Sequence, residues 1–111
     1  MMNPDRPWLQ SYPQGVPADI DPDEYRSIPA VFDASVKKYA GRPAYRNFGK
    51  VMTYAEVDAA SAQFAAYLLG ELGLKKGDRV AIMMPNCLQY PIAIFGVLRA
   101  GLTVVNTNPM Y

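Results

Sequence analysis

The run RVAIMMPNCLQYPIAIFGVLRAGLTVV (residues 79–105) decides the fold. Its first six residues, Arg79 to Met84, are an almost continuous apolar run, the pattern of a strand buried on both faces. Pro85-Asn86 closes that strand, and Asn86 is a good N-cap for a following helix. The helix reads to about Ala100. It is apolar nearly all round (Ile92, Ala93, Ile94, Phe95, Val97, Leu98), and Pro91 delays its first regular turn. Gly101 stops it, and Leu102 to Val105 is the next strand. Strand, helix, strand over this length is a βαβ unit, with parallel strands and a right-handed crossover. The most apolar window, Tyr90 to Val105, is 16 residues long and contains Pro91 and Arg99. A membrane-spanning helix needs about 20 mostly apolar residues, so this window reads as buried rather than spanning.

Upstream, Leu74 to Gly77 is a turn. Before it, Thr53 caps a helix, and Glu56 three residues on completes a capping box. Val57, Ala60, Ser61, Phe64, Leu68 and Leu72 mark its inner face, and Gly73 stops it. Ala44–Asn47 and Val51–Thr53 read as a short hairpin around Phe48-Gly49-Lys50. Ser27 caps an earlier helix running to about Tyr39, with Pro29 in its first turn, where a missing N–H costs nothing. Ile28, Val31, Phe32, Val36 and Tyr39 form its apolar stripe, and Gly41 ends it. Six prolines (Pro4, Pro7, Pro13, Pro17, Pro22, Pro29) crowd the start, so residues 1–26 read as an extended arm without regular structure. Trp8, Leu9 and Tyr12 are its candidate anchors. Pro4-Asp5-Arg6-Pro7 has bare PxxP spacing, but an arm wrapped on its own domain is the better reading.

The chain has 111 residues, half of them apolar, 19% charged, with a formal net charge of +1. That suits one compact domain and argues against nucleic acid or an anionic membrane as an electrostatically driven main partner. There is no histidine, which excludes histidine-based triads and bases, and the single cysteine, Cys87, cannot form an internal disulfide. The first ten residues hold no secretory signal.

Motif by motif, the chemistry thins out. Gly96 to Gly101 has phosphate-loop spacing, but Leu102 and Thr103 follow instead of lysine and serine or threonine, and Gly96 lies inside a helix. Close packing explains Gly96 better. Asp19, Asp21 and Asp23 alternate like a calcium loop, but the glycine position holds Glu24 and the final glutamate position holds Ala30. Lys37-Lys38 and Lys75-Lys76 read as solvated faces, Met83 and Met84 as core, and Cys87 as a packing residue. The serines lack a G-x-S-x-G setting. The expected site residues are therefore none: no catalytic, cofactor-binding or metal-binding position.

Two parallel strands with one crossover leave their edges unpaired. Each uncovered Val or Ile forfeits about 1.5–3 kcal/mol, against a typical total stability of roughly 5–15 kcal/mol. The expectation is a piece of a longer α/β domain.

The blocks LKKGDRVAIMMPN (74–86), QYPIAIFGVLRAG (89–101) and VVNTNPMY (104–111) resemble the AMP-forming acyl-CoA synthetases of the adenylate-forming superfamily. With MTYAEVDAASAQFAAYL (52–68) and WLQSYPQGVP (8–17), the chain is most similar to bacterial long-chain fatty acid–CoA ligases, in order and over nearly its whole length. The resemblance implies an arm (1–26) followed by the start of a large N-terminal adenylation domain (27–111), part of a layered α/β fold. It implies a parent ligase joining fatty acid, ATP and CoA through an acyl-adenylate, with Mg2+ beside the nucleotide and a cytoplasmic location, peripheral at the inner membrane face at most. The family's phosphate loop, its nucleotide-binding motifs and its catalytic lysine have no counterpart here. Arg79 and Asn86 match the shared block, but a strand-edge charge and a helix cap explain them. The segment alone is expected to be inactive and to hold no cofactor. The alternatives are an interaction module that oligomerises through its strands or arm, and the same segment of a ligase for another acid.

Overall fold

The computed structural model describes residues 5–111. Helix α1 (Ile28–Tyr39) is followed by strands β1 (Pro43–Asn47) and β2 (Lys50–Thr53), helix α2 (Tyr54–Gly70), strand β3 (Arg79–Ile82), helix α3 (Gln89–Arg99) and strand β4 (Thr103–Asn106). The strands make two separate pairs, β1 antiparallel to β2 and β3 parallel to β4. The helices hold these pairs together, chiefly through α2 against α3.

Local chemistry sets the element ends. Ser27 Oγ accepts the Ala30 N–H at 3.1 Å, capping α1. Thr53 and Glu56 form the reciprocal capping box of α2. Helix α3 ends in a Schellman arrangement: the Leu102 N–H donates to Val97 O, and the Gly101 N–H donates to Leu98 O. Gly101 sits at φ +80°, which costs glycine little. Leu102 and Val97 are both buried in one apolar cluster with Leu68, Ile82 and Ala93. A turn feeds β3, where the Asp78 carboxylate accepts the Lys75 N–H at 2.8 Å. Bonds from Thr103 N to Asp78 O and from Thr107 N to Ile82 O continue the β3–β4 ladder at both ends.

Several expectations need correction. Residues 7–11 form a 3-10 helix, so the arm is not wholly irregular; Pro7 starts it at a position that needs no N–H. Trp8 and Tyr12 are exposed, and the arm is tied to itself instead: Arg6 donates to Ala18 O at 2.7 Å and pairs with Asp19 at 2.9 Å. Pro4, and with it the PxxP spacing, lies outside the described residues. On α1 only Phe32 is buried, while Ile28 and Val31 are exposed. Leu72 is also exposed, because α2 ends at Gly70, before the residue reaches the inner face. Strand β3 stops at Ile82, which leaves Met83 exposed rather than in a core. One face of β3 is covered, not two: Arg79 and Ala81 are exposed, and Val80 and Ile82 face the helices. Lys50 belongs to β2, which shortens the hairpin turn to Phe48-Gly49.

Asn86 does not cap α3. The residue before the helix is Leu88, with no side-chain cap. A helix starting after Asn86 would drive the Pro91 ring into the Cys87 carbonyl four residues earlier. Starting at Gln89 puts Pro91 in the first turn, where its missing N–H is harmless.

The α2–α3 seam is the tightest part of the molecule. A Cβ on Gly96 would lie 2.7 Å from Phe64 Cδ2 and 3.1 Å from the Ser61 carbonyl. Beside it, one Arg99 nitrogen reaches Asp58 Oδ1 (2.6 Å), Asp58 O (2.9 Å) and Ser61 Oγ (3.0 Å). Ser61 is fully buried and donates to Asp58 O.

Away from the seam the molecule is open. Its surface is 8458 Å², whereas a compact chain of this mass exposes about 6,100 Å². Its radius of gyration is 17.6 Å, against about 13 Å for a compact domain of this length.

Candidate functional site

In open α/β sheets, ligands bind beyond the carboxyl ends of the strands. In this chain that edge mixes apolar and polar residues. Beyond β3 come Met83, Met84, Pro85 and Asn86, and beyond β4 come Thr107 and Asn108. The Tyr90 hydroxyl, from the first turn of α3, donates to the Asn106 side-chain oxygen and so ties the helix start to the end of β4. Asn47, the last residue of β1, donates from Nδ2 to Asn86 O at 3.1 Å. That bond joins the hairpin to the β3–α3 loop across 39 residues of sequence.

Two adjoining grooves flank this junction. One, of about 440 Å³, runs between β1 and α3 past Tyr45, Arg46, Asn86, Tyr90, Ile94 and Phe95. The other, of about 500 Å³, runs under β2 past Phe48, Lys50, Met52, Glu56, Leu88 and Ile92. Asn47, Cys87 and Leu88 belong to both. The walls are mostly apolar, with one cation at each rim and amide groups between.

Burial holds the Tyr45 phenol above its ordinary value, and the neighbouring Tyr54 adds to the effect. The phenol therefore remains a neutral hydrogen-bond donor at physiological pH. Among the described residues, no three His, Cys, Asp or Glu side chains converge as metal ligands. The arrangement offers apolar contact, amide and hydroxyl hydrogen bonds, two cations and the Glu56 carboxylate, which is engaged in the α2 capping box. That is binding chemistry, without an acid–base pair or an activated nucleophile.

Of the positions weighed in the sequence, Asn86 joins the junction through its carbonyl rather than as a cap. Cys87 lines both grooves. Gly96 is packing, and Arg79 is an exposed strand end. Arg46, Asn47, Lys50, Tyr90 and Asn106 were not singled out by sequence. Their convergence needs contacts between segments far apart in the chain, and no local pattern encodes those. No helix among the described residues is long and apolar enough to cross a membrane.

Residues 32–111 match the AMP-binding enzyme family. The chain is 58% identical over 104 residues to a long-chain-fatty-acid–CoA ligase of Escherichia coli O157:H7, covering 94% of this chain and 18% of that protein. It is 37% identical over 110 residues to the enzyme of the same name from Bacillus subtilis, covering 99% of this chain and 19% of that protein. The chain thus spans about a fifth of the length of these curated relatives. Among solved structures, the Klebsiella oxytoca NpsA N-terminal subdomain superposes with a TM-score of 0.71 at 26% identity, over 77% of this chain and 22% of that one. A benzoate CoA ligase from Burkholderia xenovorans superposes with a TM-score of 0.70 at 28% identity, over 75% of this chain and 17% of that one. The mixed α/β fold is that of part of such an N-terminal subdomain.

Proposed function

The chain belongs to the AMP-binding enzyme family, and from that premise we propose that it is a scaffold segment of a long-chain fatty acid–CoA ligase. The observation that carries this reading is its 58% identity, over 94% of its length, to a protein of that name. In the proposed reaction a fatty carboxylate attacks the α-phosphorus of ATP, and the bond to pyrophosphate breaks. The CoA thiol then attacks the acyl carbonyl, and AMP leaves. Adenylation is needed because a free carboxylate is a poor acyl donor.

In this reading the chain contributes shape rather than chemistry. The α2–α3 seam and the capped β3–α3–β4 unit form a preorganised base, and the uncovered face of β3 and β4 receives further structure. Mg2+ would accompany the ATP phosphates. The described residues offer no converging ligand set for it, so no step is assigned to metal held by this chain. The supply of ATP and CoA fits a cytoplasmic location.

A segment swap tests the proposal. The 104 matching residues of the Escherichia coli ligase are replaced by this chain's, and acyl-CoA formation is measured across a series of carboxylic acids. The expected result is a working ligase with its order of preference unchanged, and no pyrophosphate release by the isolated chain with ATP, Mg2+ and palmitate. Turnover by the isolated chain would overturn the scaffold reading. So would a folded chimera with a changed acid preference.

A further inference from the structure

The two ends of the β3–β4 pair are held differently. At the amino ends the bonds are local or between backbone groups. Asp78 accepts the Lys75 N–H within one turn, and the Gly77 and Thr103 N–H groups donate to the Gly101 and Asp78 carbonyls. At the carboxyl ends, side chains from other elements reach in. Asn47, from β1, donates to Asn86 O in the loop that leaves β3. Tyr90, from α3, donates its hydroxyl to the Asn106 side chain where the chain leaves β4. Both cross-links therefore lie at the end where open α/β sheets bind their ligands.

The Tyr90 bond is placed to control direction. Asn106 pairs with Ile82, and each is the last residue of its strand. The next residue, Thr107, donates its N–H to Ile82 O at 2.9 Å, which ties the backbone to β3. The Asn106 side chain is meanwhile tied to α3. Beyond them Asn108 organises a turn: its side chain accepts the Met110 N–H at 2.9 Å, and its carbonyl accepts the Tyr111 N–H at 3.3 Å. Residues 106–111 thus leave the sheet along one path, set by β3 on one side and α3 on the other. The Tyr90 ring packs against the buried cluster of Ile82 and Val97 and lines the groove between β1 and α3. One side chain joins the groove wall to the β4 exit.

We propose that Tyr90 is a positioning residue of the ligase: its hydroxyl, acting through Asn106, aims residues 107–111 at the substrate crevice beyond the carboxyl ends of β3 and β4. This role rests on the ligase reading given above. The bond is internal to the segment, so further structure packed over it lowers the local dielectric and strengthens it. Misplacing a site by about 1 Å can cost up to about a hundredfold in rate, so a group that aims a backbone segment matters without touching substrate.

The test removes the hydroxyl alone. Tyr90→Phe keeps the ring, and with it the groove wall and the core contact. It is introduced into the Escherichia coli ligase carrying the 104 matching residues of this chain. The KM for at least one of fatty acid, ATP and CoA should rise about fivefold, with the thermal midpoint held within about 2 °C. Asn106→Leu should raise the same KM. The double variant should be no worse than either single one, because all three lose the same bond. A bond that only stabilises the fold would lower the midpoint and the active fraction and leave every KM in place. Unchanged KM values in Tyr90→Phe, or additive effects in the double variant, would overturn the proposal. An unsubstituted chimera without ligase activity would sink the ligase reading and this role with it. Amide exchange in the 111-residue chain tests the clamp apart from that reading. Tyr90→Phe should speed exchange at Thr107, Met110 and Tyr111 about fivefold relative to Val97 in α3, and unchanged rates would overturn the clamp itself.

Discussion

Gly96 in the α2–α3 seam and Phe48 at the hairpin tip are both the wrong size for their backbone. Glycine inside a helix costs up to about 1 kcal/mol relative to alanine, and Phe48 carries the strain of a positive φ. The difference lies in what surrounds them. Gly96 is buried, and the space a Cβ would take is filled by Phe64 and the Ser61 carbonyl. Phe48 has nothing packed over its exposed ring. An inward exception is explained by packing, whereas the outward one finds no packing partner among these residues.

The sharpest way to break this contrast is Gly96→Val. With Phe64 Cδ2 at 2.7 Å and the Ser61 carbonyl at 3.1 Å from the first added carbon, the Phe64 ring must turn aside and the α2 backbone must give way. A loss of about 3 kcal/mol is expected in denaturant unfolding, at the upper end of overpacking costs. A loss near zero would mean that the seam is looser than its geometry. Arg99→Leu comes next. It leaves the Asp58 carboxylate without its cation and removes the 3.0 Å bond to buried Ser61 Oγ, for an expected cost of about 2 kcal/mol. A double-mutant cycle with Asp58→Ala should recover part of that as coupling.

How far these features could be read from sequence follows their range. The Thr53–Glu56 box, the Ser27 cap and the Gly101 stop each lie within a few residues and were legible. So was the parallel β3–α3–β4 unit, because Pro85-Asn86 and Gly101 divide one short apolar stretch into strand, helix and strand. The Arg99–Asp58 pair spans 41 residues and the Asn47–Asn86 bond spans 39, and nothing local announces either. Asn86 was misread because a cap preference was set against the steric demand of Pro91, and the proline won. Met83 was misread because an apolar run does not show where ladder pairing ends.

Moving toward the hairpin, the expected effects shrink. Thr53→Ala, where β2 turns into α2, removes the hydroxyl that accepts the Glu56 N–H and should cost about 1 kcal/mol in thermal unfolding. Tyr45→Phe should alter only the alkaline limb. Burial raises the Tyr45 phenol above its ordinary value of about 10, with Tyr54 adding to the shift. A raised folded value favours the protonated phenol in the native state. Its contribution is intact below pH 10 and is lost as pH climbs through the folded value. The variant should therefore show a flatter decline of thermal midpoint above pH 10, with no change at pH 7.

The seam and its strand pair occupy one uninterrupted run, from Thr53 to Asn106. A ribosome adds roughly 5–20 residues per second and releases the N-terminal side first. Once this run has emerged, the seam can form from its own residues alone. The outer edges of β3 and β4 and the exposed side of Val105 are then uncovered by any of the described residues. The run that can fold from its own residues is therefore also the one whose open strand edges invite association with other nascent chains.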